Sequence, residues 1–155
     1  MNPDDFIAAA RELVPQGKGS PRQVFLRRAV STIYYALFHC LARNAADLLV
    51  GGPGAVKHGA AWTRAYRALD HGRAKNIHKE PAIRLLPTDI QDFALNLADF
   101  QQKRHAADYD PSKRFIKASV LQDIDAAEDL IRRFNSASVM DRRAFVAFVC
   151  FPQRQ

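Results

Sequence analysis

Residues 27–49 read RRAVSTIYYALFHCLARNAADLL, and with the four residues before them they form a run, Gln23 to Leu49, free of proline and glycine. Apolar side chains recur through it at helical spacing. Leu26, Val30, Ile33, Leu37 and Leu41 fall on one line, flanked by Ala29, Tyr34 and Cys40, a stripe wide enough to face a core. At about 100° per residue the far side carries Arg28, Thr32, Tyr35 and His39, with Phe38 beside them. Spacing alone makes that side the wet face of an amphipathic helix. Tyr35 and Phe38 are costly in bare solvent, so a polar seam turned toward another helix, a second subunit or a ligand is an equal expectation.

Outward from this helix the chain keeps the same period. Asn2 and Pro3, followed by two aspartates, mark a helix start and predict a first helix to about Val14. PQGKGSP is a loop, and Ser20 with Pro21 is expected to open the long helix, which GGPG at 51–54 stops. A third helix is predicted from about Ala55 to Leu69, with Ala55, Trp62, Tyr66 and Leu69 on one face. Residues 70–87 read as irregular. Thr88 with Gln91 predicts a capping box, ahead of a stripe of Ile90, Phe93, Leu97 and Phe100. Asp110-Pro111 is expected to start the next helix, whose stripe runs Ile116, Val120, Ile124, Ala127, Ile131 and Phe134. The final segment, from about Ser138 to Phe151, ends in FVAFVCF; with no other strand to pair with, it is read as a helix. The expectation is all-α: an up-and-down bundle of five to six helices over residues 1–136, with 137–155 an apolar helical extension packing on the bundle or on a dimer partner.

At 155 residues one domain with a real core is expected, and the composition, 48% apolar and 25% charged, is that of an ordinary globular protein. No run of eighteen apolar residues predicts a membrane span, the N-terminus does not read as a signal peptide, and two lone cysteines suit a reducing cytoplasm. No metal-ligand spacing is present and no cofactor fingerprint: no P-loop, dinucleotide glycines or nucleophile elbow. The net charge is +7. It concentrates between Lys57 and Arg84, where seven basic residues, among them Lys57, Arg64 and Arg67, face only Asp70 and Glu80. Such a patch attracts a polyanion, with RNA or DNA the first candidate, or is a solvated arginine-rich surface.

The most informative local feature is Arg104. It continues the apolar line Phe93, Leu97, Phe100, so it must bend to water or be held by partners. The following RHAADYDP offers Asp108, Tyr109 and Asp110 as those partners. Either Arg104 complements the helix C-terminus and pairs with Asp108, or it is a positioned guanidinium aimed at a phosphate or a partner.

The segment RRAVSTIYYALFH, with KRHAADYD one helix hairpin later, resembles the HEPN superfamily of small helical bundles. Arg27 or Arg28, Ala29, Tyr34, Tyr35, Ala36, Phe38 and His39 match the family's second helix. Arg104, Ala107, Asp108 and Tyr109 match the Arg-x-x-Ala-Asp-Tyr end of the fourth helix in one branch. The resemblance covers most of residues 1–136. It implies a metal-independent ribonuclease or a relative of one, acting as a homodimer on RNA. A toxin–antitoxin or defence setting, with a nucleotidyltransferase-type antitoxin as cognate partner, is implied too. The family's signature is an arginine, usually followed by a polar residue, with a histidine five to seven positions after the arginine. Aligned on Arg104 and His105, this chain has Tyr109 where that histidine is expected, and a phenol, with a pKa of about 10, is a poor base at neutral pH. Arg64…His71 and Arg73…His78 also fit the spacing, but about 1.5 such pairs arise by chance in this composition, so both are set aside.

Two functional expectations follow. In the first, Arg104, His105 and Tyr109, with an imidazole from His39, form a catalytic or degenerate site, and Arg28, Tyr35, Asp108, Lys57, Arg64 and Arg67 hold the RNA. In the second, the chain is a non-catalytic interaction module in which Arg104, Asp108 and Tyr109 clasp a helix turn.

Overall fold

The computed structural model describes residues 1–154. Asn2 accepts the amide of Asp4 at 3.3 Å and Pro3 occupies the first helical position, where its missing N–H costs nothing, so α1 runs Pro3–Leu13. After the glycine-rich loop, α2 spans Gln23–Leu49 as its periodicity requires. Arg22 precedes it with no side-chain cap, so the expected opening by Ser20 and Pro21 is not formed; the hydroxyl of Ser20 reaches only the neighbouring Pro21 carbonyl. Gly51 (φ +143°) and Gly54 (φ +77°) then turn the chain through backbone angles other residues rarely adopt.

The third helix is shorter than its pattern. α3 covers Gly59–Arg67, because the His58 ring accepts the Ala61 amide and caps it there, leaving Ala55 outside and exposed. Residues 70–87 are more regular than expected: Asp70 caps a one-and-a-half-turn helix, α4 (His71–Asn76), and two 3-10 turns follow at Ile77–Lys79 and Pro81–Leu85. α5 is Thr88–Tyr109. Its predicted capping box is absent, since Thr88 is already helical and Gln91 reaches back to the Leu86 carbonyl at 2.7 Å. Asp110-Pro111 does not start a helix either. Asp110 Oδ1 accepts from the amide and hydroxyl of Ser112, closing a local turn, and α6 begins only at Lys117, running to Ser136. Ile116 is consequently exposed rather than in the core. α7 spans Val139–Cys150 behind a Ser138 cap.

Among the described residues the chain is all-helical, with seven α-helices and no strand. α2 is the axle: α1, α3, α5, α6 and α7 all pack on it, and its predicted stripe is buried throughout. Phe38, expected on its open side, is buried too. The last apolar segment packs on the bundle: Phe145, Val146 and Val149 enter the common core, with Phe145 edge-on to Phe93 and Phe134. Buried Asn44 ties this end together, donating to the Cys40 carbonyl and to Asn135 while accepting from Arg142. Cys40 beside it is a buried thiol whose pKa burial pushes up to about 12. No helix among the described residues is long and apolar enough to cross a membrane.

Candidate functional site

α5 and α2 pack side by side, which brings Arg104 over Tyr34. The line of Phe93, Leu97 and Phe100 is buried against the core, and one turn later Arg104 lies where that contact runs out, with only 17% of its side chain exposed. Its guanidinium carbon sits 5.4 Å from the centroid of the buried Tyr34 ring. One terminal nitrogen donates to Asp108 at 3.2 Å, and the other carboxylate oxygen of Asp108 accepts from the Ser31 hydroxyl. Of the three partners expected for Arg104, only Asp108 is used. Tyr109 is 67% exposed and leans on His105 at 4.9 Å, while Asp110 is occupied with its own turn.

An imidazole completes the cluster, and it is not the expected one. Because α3 returns along α2, α4 starts beside Tyr34 and Phe38. His71 lies flat on Phe38 at 4.0 Å, and its Nδ1 is 2.6 Å from the Tyr34 hydroxyl. Burial, and to a lesser degree the Arg104 charge, lowers the His71 pKa, so the ring is neutral near pH 7. Burial raises the Tyr34 pKa well above that of a free phenol, so Tyr34 keeps its proton, and its hydroxyl shares with Nδ1 one hydrogen bond whose direction follows the His71 tautomer.

Sequence reasoning passed over His71 because its spacing from Arg64 is worth nothing. Its partner is Arg104, thirty-three positions away, and spacing cannot report that. One signal was present: Tyr34 and Phe38, one turn apart, form an aromatic slot that a flat polar ring fills.

His39, expected to supply the imidazole, faces elsewhere. It stacks on Phe6 at 4.9 Å, and its Nδ1 is 2.6 Å from the Tyr66 hydroxyl. Burial lowers its pKa as well. Tyr35 leans on His39, and Arg28 is exposed on the outer side. Arg27, not Arg28, is the arginine that α2 spends on α5. Its guanidinium donates to the carbonyls of Ala107 (2.8 Å), Asp110 (2.8 Å) and Lys113 (2.5 Å), closing the end of α5 and the loop after it. Lys57 folds back on the Gly52 carbonyl and over Trp62, while Arg64 and Arg67 are exposed on α3.

Beside Arg104 lies a recess of about 190 Å³ lined by Lys75, Gln101, Gln102 and His105. Among the described residues, two buried side-chain polar atoms have no hydrogen-bond partner, Gln101 Oε1 and Arg104 Nε, and both belong to residues of this recess. Buried polar atoms are rarely left without a partner, so this is where a bound group or a water is wanted. The recess offers cations and donors from Arg104, Lys75 and His105, with His71 joined to Arg104 through the Tyr34 ring. No group of three or more His, Cys, Asp or Glu side chains among the described residues could hold a metal ion. Comparison with protein-family models, curated proteins and solved structures gave no match.

Proposed function

We propose that this chain is an HEPN-type, RNA-directed protein in which Arg104 grips a backbone phosphate. The observation that carries the reading is the largely buried Arg104 guanidinium, set over Tyr34 and anchored by Asp108, beside a recess that contains unpaired polar atoms. A guanidinium held this way offers a second edge to a planar or tetrahedral oxyanion with little further ordering to do. Lys75 and His105 add positive charge or donors at the same recess, and the exposed Arg64 and Arg67 supply the wider field that draws a polyanion in.

Binding, rather than cleavage, is what the site supports. Transfer of a 2′-hydroxyl proton needs an imidazole nitrogen with a free lone pair. His71 Nδ1 is engaged with the Tyr34 hydroxyl, and Tyr109 stands where the motif histidine would be. Both favour a phosphate holder related to the ribonucleases over an active one. The homodimer and the nucleotidyltransferase-type partner rest on the same family resemblance and belong to this proposal.

The second reading, a structural clasp, has its own observation: Asp108 joins Arg104 to Ser31 and so ties α5 to α2. The two separate in one experiment. Binding of labelled single-stranded RNA and tRNA is measured in EDTA across a salt series for wild type, Arg104→Met and His71→Phe, with melting curves for each. The expected result is salt-dependent binding without cleavage. Arg104→Met should lower the slope of log K against log salt by about 0.7, one phosphate contact on a single strand, with little change in melting. Failure of wild type to bind RNA, or a large loss of stability in Arg104→Met, refutes the phosphate-holding reading.

A further inference from the structure

α3 lies on the bundle without entering it: none of its residues is buried. Between it and the end of α7 runs a groove of about 460 Å³. Its floor is the small-residue side of α3, Ala61 and Ala65, and its walls are Leu49 and Phe151, which are 40% and 65% exposed. His58 and Arg64 stand at its rim, and Arg67 follows on the same short helix. An apolar floor of this kind, open to solvent and edged by the Arg64 guanidinium with Arg67 beside it, is the complement of one ligand type.

We propose that this groove receives an amphipathic helix with an acidic flank, contributed by a partner protein. Nine residues of α3 span about 14 Å, so the groove accepts two to three turns of a partner helix, anchored at i, i+3 or i+4, and i+7. Alanines on the floor let the two helix axes come close, while Leu49 and Phe151 close around the partner's apolar side chains. Charge selects among occupants. A second copy of this chain, at net +7, would set Arg64 and Arg67 against their own like. An RNA strand would satisfy the rim but leave the apolar floor without use. Acidic residues flanking an apolar stripe satisfy both. The inference is independent of the Arg104 site, which lies on α5.

The test uses the full chain and a synthetic, capped peptide of about 14 residues, with leucines at helical spacing and glutamates along both flanks. Two controls keep the leucines, one replacing every glutamate by lysine and one scrambling the order. Trp62, the chain's one tryptophan, sits on α3 and reports binding by fluorescence. The expected result is saturable binding of the glutamate peptide, weakened by salt, and none of either control. Arg64→Glu should weaken it about tenfold or more, Ala65→Glu should abolish it, and Arg104→Met should leave it unchanged. Both groove variants change a helix with no buried side chain, and circular dichroism confirms that they fold. Equal binding of the lysine peptide, or no binding of the glutamate peptide, overturns the proposal. So does displacement of the peptide by single-stranded RNA, or a wild-type dimer in sedimentation that Ala65→Glu splits, since the groove would then belong to RNA or to a second copy.

Discussion

Two arginines meet the end of α5, and the structure assigns them opposite stability roles that one pair of substitutions separates. Methionine at each position keeps the aliphatic stem and removes the charge and donors. For Arg27→Met the loss is three charge-assisted hydrogen bonds to carbonyls at 2.8, 2.8 and 2.5 Å, and a guanidinium 5.8 Å from the Phe115 ring. Each such bond contributes roughly 1.5–3 kcal/mol, and water recovers part of it because the carbonyls lie at a helix end, leaving a net cost on the order of 3 kcal/mol. For Arg104→Met the i,i+4 pair with Asp108 is worth about 0.5 kcal/mol and the contact over Tyr34 about 1 kcal/mol. Against these, Arg104 Nε is already buried without a partner, so its removal returns part of a desolvation cost of about 1 kcal/mol. The net is below about 1 kcal/mol.

For a domain of this size each kcal/mol shifts the melting temperature by about 2–4 °C, so Arg27→Met should melt roughly 9 °C lower and Arg104→Met no more than about 3 °C lower. Urea titration followed by circular dichroism, with both variants at one pH and salt, gives the comparison directly. An Arg104→Met loss as large as that of Arg27→Met would make Arg104 a clasp and remove the basis for a ligand site. An Arg27→Met variant as stable as wild type would refute the account of the 110–116 loop.

Three further outcomes follow from the same structure. His39 and His71 are both held below the ordinary imidazole pKa of about 6.5, so the unfolded chain binds protons first as pH falls. Their stabilising contribution is whole above about pH 6.5 and is lost as pH falls toward the folded-state values. Melting temperature should therefore drop between pH 7.5 and 5.5, less so in a His39→Gln/His71→Asn double variant, and equal slopes would refute the assignment. Arg133 bridges α5 and α6 by pairing with Asp89 (2.8 Å), Asp92 (3.0 Å) and Asp129 (2.9 Å), all partly exposed. After discounting for solvent screening, Arg133→Met should cost about 1–2 kcal/mol in urea unfolding, shrinking as salt rises. Gly51→Ala forces a side chain onto a φ of +143° and puts its Cβ 3.3 Å from those of Ala55 and Lys57, so it should cost about 1–3 kcal/mol by thermal melting.

What the sequence makes legible is periodicity, and what it conceals is competition for caps. The buried stripes of α2 and α5 were readable residue by residue, because burial of Leu26 through Leu41 or Ile90 through Phe100 follows from the 3.6-residue repeat alone. Helix boundaries failed where two local chemistries competed. Thr88 and Gln91 fit a capping box, yet Gln91 instead satisfies the Leu86 carbonyl at the end of a 3-10 turn. Asp110-Pro111 fits a helix start, yet Asp110 closes a turn on Ser112, and Arg27, eighty-three residues earlier, pins that turn through the Asp110 carbonyl. A hydrogen bond outside the expected pattern decided each case, five residues back for Gln91 and across the bundle for Asp110.

The candidate site divides the same way. Arg104 was marked by a charge in an apolar line, a signal that needs only one helix. Its imidazole partner needed three, since α3 must run back along α2 before α4 can lay His71 on Phe38. The matched Tyr34-Tyr35 pair contains the distinction in miniature. Tyr34 is buried between Arg104 and His71, while Tyr35 leans on His39 on the opposite flank. One residue's step of about 100° sends two identical side chains to different neighbours. The position, rather than the residue type, gives Tyr34 its role. It keeps its proton because it is buried, and it lies between the His71 ring and the fixed Arg104 guanidinium. A site assembled in this order sets the Arg104 guanidinium beside a recess that contains unpaired polar atoms, and the phosphate-holding proposal rests on that arrangement.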